Sequence, residues 1–404
     1  MYKKFQLLLA ILALWLLPSY AQSPAADTES SNDRWQQNVG VEGTHLTLNG
    51  HLWRSRGVAL QGFVRPLALL ERELAADANN KEAAQLLNAR RNYGPAELEF
   101  ARAFHADTLR FQVSQPALDP DSSLYDSNYL NEVVDAIQTA RRAGFVVMIM
   151  MQDETITGDA SQAPLPTEET QRDWDLLTES FGADRGVVFE LYNEPGLDAS
   201  ASNWQLWLNG GEIKVKVRLE SFLGMQKLID HLRGNGSQNV LVLDGLGAEV
   251  AIPGTNRKQR EAAETLQNVP RATDPLNRVV YAVHPYQHGL SDESHWEEDF
   301  GTPSKSIPVW ADEWSAPTDI ALGLGKLRNY QVAVDLLNFL REHSIPLCTG
   351  AIDVPQWVVQ DVPGWKLTSY KDYSSTGKTQ GSGTLVNHDF AVDYSRPLTA
   401  ADGQ

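Results

Sequence analysis

Two glutamates follow strand-like apolar segments of this 404-residue chain, at positions where their carboxyl groups can act as a pair. Glu194 comes after the run 186–192, and Glu313 comes after the run 307–311. Parallel strands end at a common edge, and two opposed carboxyls at such an edge can hydrolyse a glycosidic bond. One must stay protonated to donate to the leaving oxygen, and the other must be ionised to attack the anomeric carbon.

Four further polar residues at strand ends or within strands suit the support of such a pair. Asn193 offers an amide that can hydrogen-bond a sugar hydroxyl. Arg110, His284 and Tyr286 can supply the positive charge and the hydrogen bonds that keep one carboxylate ionised and oriented. Asp312 directly precedes Glu313, and side chains alternate along a strand. If Glu313 faces the site, Asp312 is expected to point away from it.

The elements that must position these residues are eight near-continuous apolar runs, which is the pattern of parallel strands buried on both faces. The predicted strands are Val58–Phe63, Asp107–Val113, Phe145–Met151, Gly186–Tyr192, Asn239–Leu243, Val279–Val283, Ile307–Ala311 and Pro346–Ile352. The predicted helices between them are Pro66–Ala78 with Lys81–Arg91, Pro95–Phe104, Ser127–Ala143, Thr167–Phe181, Ile213–Arg233, Asn256–Gln267 and Lys326–His343. This alternation predicts a (β/α)8 TIM barrel, and the absence of a dinucleotide fingerprint disfavours a doubly wound sheet.

The chain ends differ in character from the barrel. Residues 1–21 carry two lysines, an apolar run and small residues before Ala21, which predicts a signal peptide cleaved there and a secreted or periplasmic protein. Residues 22–40 are predicted to be a flexible leader, and a short hairpin follows around Asn49-Gly50. The barrel is expected to span 41–353, and 354–404 is expected to be an irregular loop and tail packed on it.

Composition narrows the function further. The formal charge of −18 disfavours nucleic acid and anionic membrane surfaces as partners. The single cysteine excludes an internal disulfide. No spacing of histidines and acids matches a metal motif, so we expect no metal or cofactor. We also expect a monomer, and its substrate is expected to be a neutral glycan.

The motifs carry a family resemblance. Val187–Pro195 and Ile307–Trp314 resemble the fourth-strand and seventh-strand signatures of glycoside hydrolase family 5, in the clan A retaining β-glycosidases. The resemblance implies that Glu194 is the acid/base and Glu313 the nucleophile. It also implies that Asn193 contacts the sugar 2-hydroxyl, His284 lines the acid/base side, Tyr286 bonds the nucleophile and Arg110 holds it ionised.

Two departures from the family concern the sugar subsites. Gln152 stands near the position where the third strand of the family ends in histidine, and Ile352 lies where the family places a sugar-stacking tryptophan. Trp314 and Trp357 are candidate substitute platforms, since aromatic faces stack on sugar rings. Trp204 and Trp207 are further candidates.

We therefore predict an exported retaining β-glycoside hydrolase, with endo-β-1,4-glucanase activity of the cellulase type favoured. Within the family, β-mannanase and exo-β-glucosidase activities remain alternatives. A non-catalytic carbohydrate-binding barrel is the alternative of another class.

Overall fold

The computed structural model describes residues 36–152, 162–215, 217–251, 258–286, 295–316, 331–355, 357–369, 381–392 and 396–403. The predicted signal peptide and residues 22–35 of the predicted leader lie outside the described residues. Within the described part, no helix combines the length and the apolarity needed to cross a bilayer.

The strands form a barrel, an N-terminal sheet and two hairpins. In chain order they are β1 (Val39–Glu42), β2 (His45–Leu48), β3 (His51–Leu52), β4 (Arg56–Leu60), β5 (Thr108–Ser114), β6 (Val146–Gln152), β7 (Val187–Glu190), β8 (Gly210–Val215), β9 (Arg218–Leu223), β10 (Val240–Asp244), β11 (Leu246–Ala251), β12 (Lys258–Thr265), β13 (Val279–Ala282), β14 (Val309–Trp314) and β15 (Leu347–Thr349).

The barrel closes through eight strands, in the order β4, β5, β6, β7, β10, β13, β14 and β15, with β15 pairing back to β4. Every pair is parallel. All seven residues of β5 and of β6 are buried, as strands with helices outside and a packed interior require. The predicted (β/α)8 barrel is confirmed, and each predicted barrel strand overlaps one of these eight strands.

The N-terminal sheet covers the base of the barrel. β1, β2 and β3 pair antiparallel, and Val39 and Leu46 are buried among side chains from the lower ends of the barrel strands. Trp53 meets the buried Trp310 edge to face, with ring centroids 5.9 Å apart. The described structure begins its first strand at Val39 rather than at Val41, because Val39 belongs to this apolar layer.

The helices form the outer layer. In chain order they are α1 (Leu67–Ala76), α2 (Lys81–Asn92), α3 (Pro95–Ala103), α4 (Gln115–Leu118), α5 (Tyr129–Arg142), α6 (Glu168–Phe181), α7 (Ala201–Asn209), α8 (Met225–Gly234), α9 (Thr302–Ser304), α10 (Gln331–Glu342) and α11 (Gly383–Ala391). Three of them begin at a side-chain cap, where Asn80, Thr167 and Ser200 accept main-chain N–H groups at the starts of α2, α6 and α7.

The C-terminal segment contributes a helix that the sequence did not predict. α11 follows the last barrel strand, and its Asp389 pairs with Arg341 of α10. Its Phe390 packs edge to face on Phe104, which ends α3. α11 therefore closes the outer layer between α10 and α3. At nine residues it is too short to show a clear helical period in the sequence.

Two predicted helices are wrong in part or in full. The segment predicted as helix 213–233 begins with the hairpin of β8 and β9, and only its end is helical, as α8. Ile213, Val215 and Leu219 alternate with charged residues, which is a strand period. The helix predicted over 256–267 is instead β12, paired antiparallel with β11, so tertiary pairing overrides the helix propensity of its residues.

Candidate active site

Arg110 lies at the centre of the polar groups inside the barrel mouth. It projects from β5 and is fully buried. Its Nε lies 2.6 Å from Glu190 Oε2, its Nη2 donates to Asn193 Oδ1 over 2.9 Å, and its Nη1 donates to Glu313. A buried guanidinium is tolerable only when paired in this way. Arg110 therefore ties the strand carrying Glu313 to the strand that leads to Asn193 and Glu194.

Glu313 sits on β14 with 19% of its side chain exposed, so one face is open to the mouth. Tyr286 donates its hydroxyl to Glu313 Oε1 over 3.0 Å. Burial alone would raise the pKa of Glu313, but the charges of His284 and Arg110 and the hydrogen bonds from Arg110 and Tyr286 hold it below the ordinary value. Burial also raises the pKa of Tyr286 well above its usual range, so Tyr286 remains a proton donor. Glu313 is thus held ionised and oriented.

Glu194 follows β7 in a conformation rare for a residue with a side chain, at φ 45°. Its main-chain N–H donates to Asp244 Oδ2 over 2.9 Å, and its carboxylate Oε1 lies 2.8 Å from His284 Nδ1. The side chain is 27% exposed. The strained turn is held by these bonds and aims the carboxyl into the mouth.

The two glutamates lie close together. One carboxyl oxygen of Glu194, one carboxyl oxygen of Glu313 and a ring nitrogen of His284 lie within 4.8 Å of one another. In glycosidases, carboxyls about 5 Å apart attack the sugar directly, whereas wider pairs leave room for a water molecule between carboxyl and sugar. The nearest oxygens of the two carboxyls are therefore close enough for both groups to face one bond of a bound sugar.

His284 is fully buried and surrounded by acids. Its Nε2 lies 3.4 Å from Asp312 Oδ1 and 3.9 Å from Asp244 Oδ2. Burial alone would lower the pKa of the imidazole, but Glu264 and Glu313 and the bonds to Asp312 and Glu194 raise it well above the usual value. The acids around the ring therefore favour its protonated form.

A buried carboxyl cluster lies beneath the two exposed glutamates, and we define it as Glu190, Asp244, Glu264 and Asp312. Burial raises the pKa of Glu190 to about 8, against the opposing pull of Arg110. Burial likewise raises the pKa values of Asp244 and Glu264 well above their ordinary values. Glu190, Asp244 and Glu264 thus hold protons more readily than exposed carboxyls do.

The orientation expected for Asp312 is wrong. Asp312 and Glu313 both face groups inside the barrel, His284 and Arg110 respectively, although they are adjacent in sequence. The register between β14 and β15 shifts between Ala311 and Trp314, and this irregularity breaks the simple alternation of side chains.

Comparison with known proteins agrees with this arrangement. The family described as Cellulase (glycosyl hydrolase family 5) matches residues 91–348. The chain belongs to glycosyl hydrolase family 5. It is accordingly a cellulase-like glycoside hydrolase. Among curated proteins, no sequence matches this one significantly.

Solved structures show the same barrel fold at low sequence identity. An endocellulase from Pyrococcus horikoshii, in complex with cellotetraose, is 14% identical with a TM-score of 0.56, over 88% of this chain and 98% of that one. A β-glucanase from Saccharophagus degradans with cellotetraose is 16% identical with a TM-score of 0.55, over 92% and 98%. An endoglucanase catalytic domain from Thermobifida fusca with cellotetraose is 13% identical with a TM-score of 0.52, over 90% and 100%.

Gln152 and Trp357, which the sequence predicts to line the sugar subsites, lie near the ends of barrel strands. Gln152 ends β6, level with Ser114 of β5, and is buried. Trp357 is half-buried in the loop after β15, and a Cβ placed on Gly350 would come 3.1 Å from its ring. Its indole thus lies against the end of the eighth strand.

The other tryptophan candidates are packing residues. Trp314 is 2% exposed within the main hydrophobic core. Trp204 and Trp207 are equally buried, and their indole N–H groups donate to the carbonyls of Gln267 and Asp244. The expectation that these three rings offer stacking platforms is therefore wrong in this structure, because each ring is enclosed by the core.

Sequence reasoning missed three acids of this site. Glu190 lies inside a strand read as an apolar run, where a lone charge was itself a signal of a buried partner. Asp244 follows the fifth strand directly and met the strand-end criterion that found the others. Glu264 gave no usable signal, because its segment was predicted to be helical.

Proposed function

We propose that the protein is an exported retaining β-glycoside hydrolase, with Glu194 as acid/base and Glu313 as nucleophile, acting as an endo-β-1,4-glucanase. The observation that carries the mechanism is that one oxygen of each carboxyl lies within 4.8 Å of the other, beside His284. Export rests on the N-terminal sequence, and a monomer remains our expectation.

The proposed roles follow from the different surroundings of the two carboxyls. Glu313 has Arg110, Tyr286 and the charge of His284 to keep it ionised, which suits a nucleophile. Glu194 has no cation bonded to it other than the ring of His284 among the described residues, and it is the more exposed of the two. A carboxyl reached by solvent can take up the proton that a general acid must donate.

The proposed reaction is a double displacement. Glu313 attacks the anomeric carbon as Glu194 gives its proton to the departing oxygen, so that a glycosyl–enzyme ester forms and the sugar bond breaks. Glu194 then removes a proton from water, which attacks the same carbon and releases Glu313. Two inversions retain the anomeric configuration. Asn193, held by Arg110, is placed beside Glu194 to bond the 2-hydroxyl of the sugar.

The substrate proposal rests on the substrate-bound relatives and on the mouth. The solved structures with TM-scores above 0.5 named above contain cellotetraose, which supports a β-glucan substrate. The net charge of −18 suits a neutral polymer. Trp357 lies at the end of the eighth strand and is our candidate for the stacking surface, with Gln152 across the mouth as a hydrogen-bonding partner.

The first experiment measures reducing-end release by the purified chain from carboxymethylcellulose, mixed-linkage glucan, glucomannan, galactomannan and xylan, with Glu194→Ala as the blank. Release from the glucans alone is the expected result. Preference for galactomannan would favour β-mannanase activity. Hydrolysis of an added aryl β-glucoside without release from any of the polymers would favour exo-β-glucosidase activity. Binding without release, by a folded protein, would support the non-catalytic barrel.

Azide tests the roles of the two glutamates separately. Glu313→Ala with azide and an aryl β-cellobioside should form the α-glycosyl azide, since azide fills the space of the missing nucleophile. Glu194→Ala should form the β-glycosyl azide, since azide then attacks the glycosyl–enzyme ester from the other side. If Glu313→Ala formed the β-glycosyl azide and Glu194→Ala the α-glycosyl azide, the roles of the two glutamates would be reversed.

A further inference from the structure

The hairpin of β11 and β12 stands where a helix usually follows the fifth strand of a (β/α)8 barrel. It starts at Leu246, with only Gly245 between it and the end of β10, and its second strand returns to hydrogen-bond the main chain of His284. A Cβ on Gly245 would come 2.6 Å from the carbonyl oxygen of Thr265, so only glycine permits this return. Gly247 also exchanges main-chain bonds with Leu197 and Ala199, in the loop that follows Glu194.

This return brings Glu264 onto the main chain of His284. The His284 N–H donates to Glu264 Oε2 over 3.2 Å, and the Glu264 N–H donates to the His284 carbonyl over 3.3 Å. Asp244, at the end of β10, holds the Glu194 N–H in the same way. Each half of the Glu194–His284 pair is thus fixed from behind by one buried acid.

The two acids are close to each other and to the ring. One carboxyl oxygen of Asp244, one of Glu264 and a ring nitrogen of His284 lie within 4.8 Å of one another. Two buried carboxyls at this distance cannot both ionise cheaply, so one keeps its proton and the other faces the imidazole as a carboxylate.

The charges around the ring support the same account. Among the described residues, the groups facing His284 or coupled to it are Arg110, Glu190, Glu194, Asp244, Glu264, Tyr286, Asp312 and Glu313. Arg110 is already paired with Glu190 and Glu313, which leaves the ring as the cation for the remaining acids.

We propose that Asp244 and Glu264 are positioning residues for the acid/base: they fix the main chain of Glu194 and His284, and their shared negative charge keeps the ring of His284 protonated. This inference rests on the proposed function, in which Glu194 is the acid/base. The pH range of proton transfer is then set by a hairpin that lies behind the site.

The test uses Glu264→Gln, Asp244→Asn and the double variant, each of which keeps an oxygen acceptor for the main-chain N–H. Only the double variant removes the shared charge, because in each single variant the remaining acid can still carry it. Glu97→Gln is the matched control, since Glu97 is a buried acid of α3 with a pKa raised mainly by its burial and has no described contact with His284. Circular dichroism checks the fold of each variant. Glu264→Asp restores the charge on a shorter side chain.

The first readout needs no substrate: nitrogen NMR of the histidine rings against pH, with the His284 signal assigned by difference against His284→Gln. In the wild type the ring should stay doubly protonated at pH values where an ordinary histidine has lost its proton. In the double variant it should lose its proton at least about one pH unit lower. A neutral ring at pH 7 in the wild type overturns the proposal without any variant.

The second readout is kcat/KM against pH on the best glucan. Loss of a negative charge lowers the proton affinity of its neighbours, so the basic limb should move about one unit to lower pH, with KM changed less than about twofold. Glu97→Gln should match the wild type, and Glu264→Asp should return the limb toward it. Equal pH profiles of kcat/KM in all variants would overturn the proposal. So would finding one divalent metal ion bound per wild-type molecule and none bound to Glu264→Gln. An inactive wild type with a cationic His284 would instead count against the proposed function.

Discussion

The two ends of the barrel are built on opposite principles. At the base, Val39 and Leu46 close the barrel with an apolar layer that includes Trp310. At the mouth, Arg110 and the buried carboxyl cluster fill the interior with charged side chains, and Glu194 takes a strained conformation. Burying charge costs stability unless every group is paired, whereas burying apolar surface supplies it. The base therefore stabilises the fold, and the mouth uses part of that stability for chemistry.

The largest expected effect at the mouth comes from Glu313→Gln. The variant should lose activity by roughly 10⁴-fold or more, because the amide cannot attack the anomeric carbon. Its free energy of unfolding should change little or rise, since a buried charge is removed. Initial rates on the best glucan and urea unfolding measure both. Near-normal turnover would contradict the assignment of Glu313 as the nucleophile.

Arg110→Met should affect both activity and stability. Removing the guanidinium leaves Glu190 and Glu313 without their cation, which should cost about 3–5 kcal/mol of stability. Activity of the folded fraction should drop by roughly 10²-fold, since Glu313 loses a group that holds it ionised. Arg110→Lys is the control, because it keeps the charge but not the two-pronged bond to Glu190. An unchanged unfolding free energy would show that the cluster is not held by Arg110.

Leu46→Ala tests the base. The side chain is 3% exposed, so its truncation should cost about 2–5 kcal/mol of unfolding free energy. The kcat/KM of the folded enzyme should match the wild type, because the catalytic groups lie at the other end. Leu52→Ala is the matched control, since Leu52 is 72% exposed. A pronounced loss of activity in folded Leu46→Ala would break the division between the two ends.

The smallest expected effect concerns pH and Asp353. Burial raises the pKa of Asp353 to about 6, although it accepts the N–H groups of Gln61 and Gly62. Between pH 4 and pH 6 the folded state therefore binds a proton that the unfolded chain has released. The contribution of Asp353 to the free energy of unfolding is present at low pH and is lost as the pH rises through 6. The free energy of unfolding, measured with urea, should fall by about 2 kcal/mol less between pH 4 and pH 7 in Asp353→Asn than in the wild type. Parallel curves for the two proteins would contradict the shift.

The sequence predicted the barrel well because each of its strands is determined locally. β6 is an unbroken apolar run that buries every residue, and no other environment suits it. The catalytic candidates were predictable for a related reason. Polar residues that directly end such runs must lie at the shared edge of the sheet, where Glu194 and Glu313 do meet.

The failures occurred where distant segments decide the outcome. The residues of β12 favour a helix in isolation, and only pairing with β11 makes them a strand. Trp314 and Trp204 follow strand ends, yet the surrounding core encloses them. Asp312 faces inward because of a register shift between two strands, which no spacing within its own segment reveals.

By itself, the sequence determined the eight strands, their order along the chain and the acids and bases at their ends, because apolar runs and strand-end residues are local properties. Only the tertiary structure decided that Glu264 returns to His284 and that α11 completes the outer layer. It also decided that Asp244 stands behind Glu194. Each of these contacts joins segments far apart in the chain or depends on how the strands close, and the energies that choose them come from packing and burial of charge rather than from local preference.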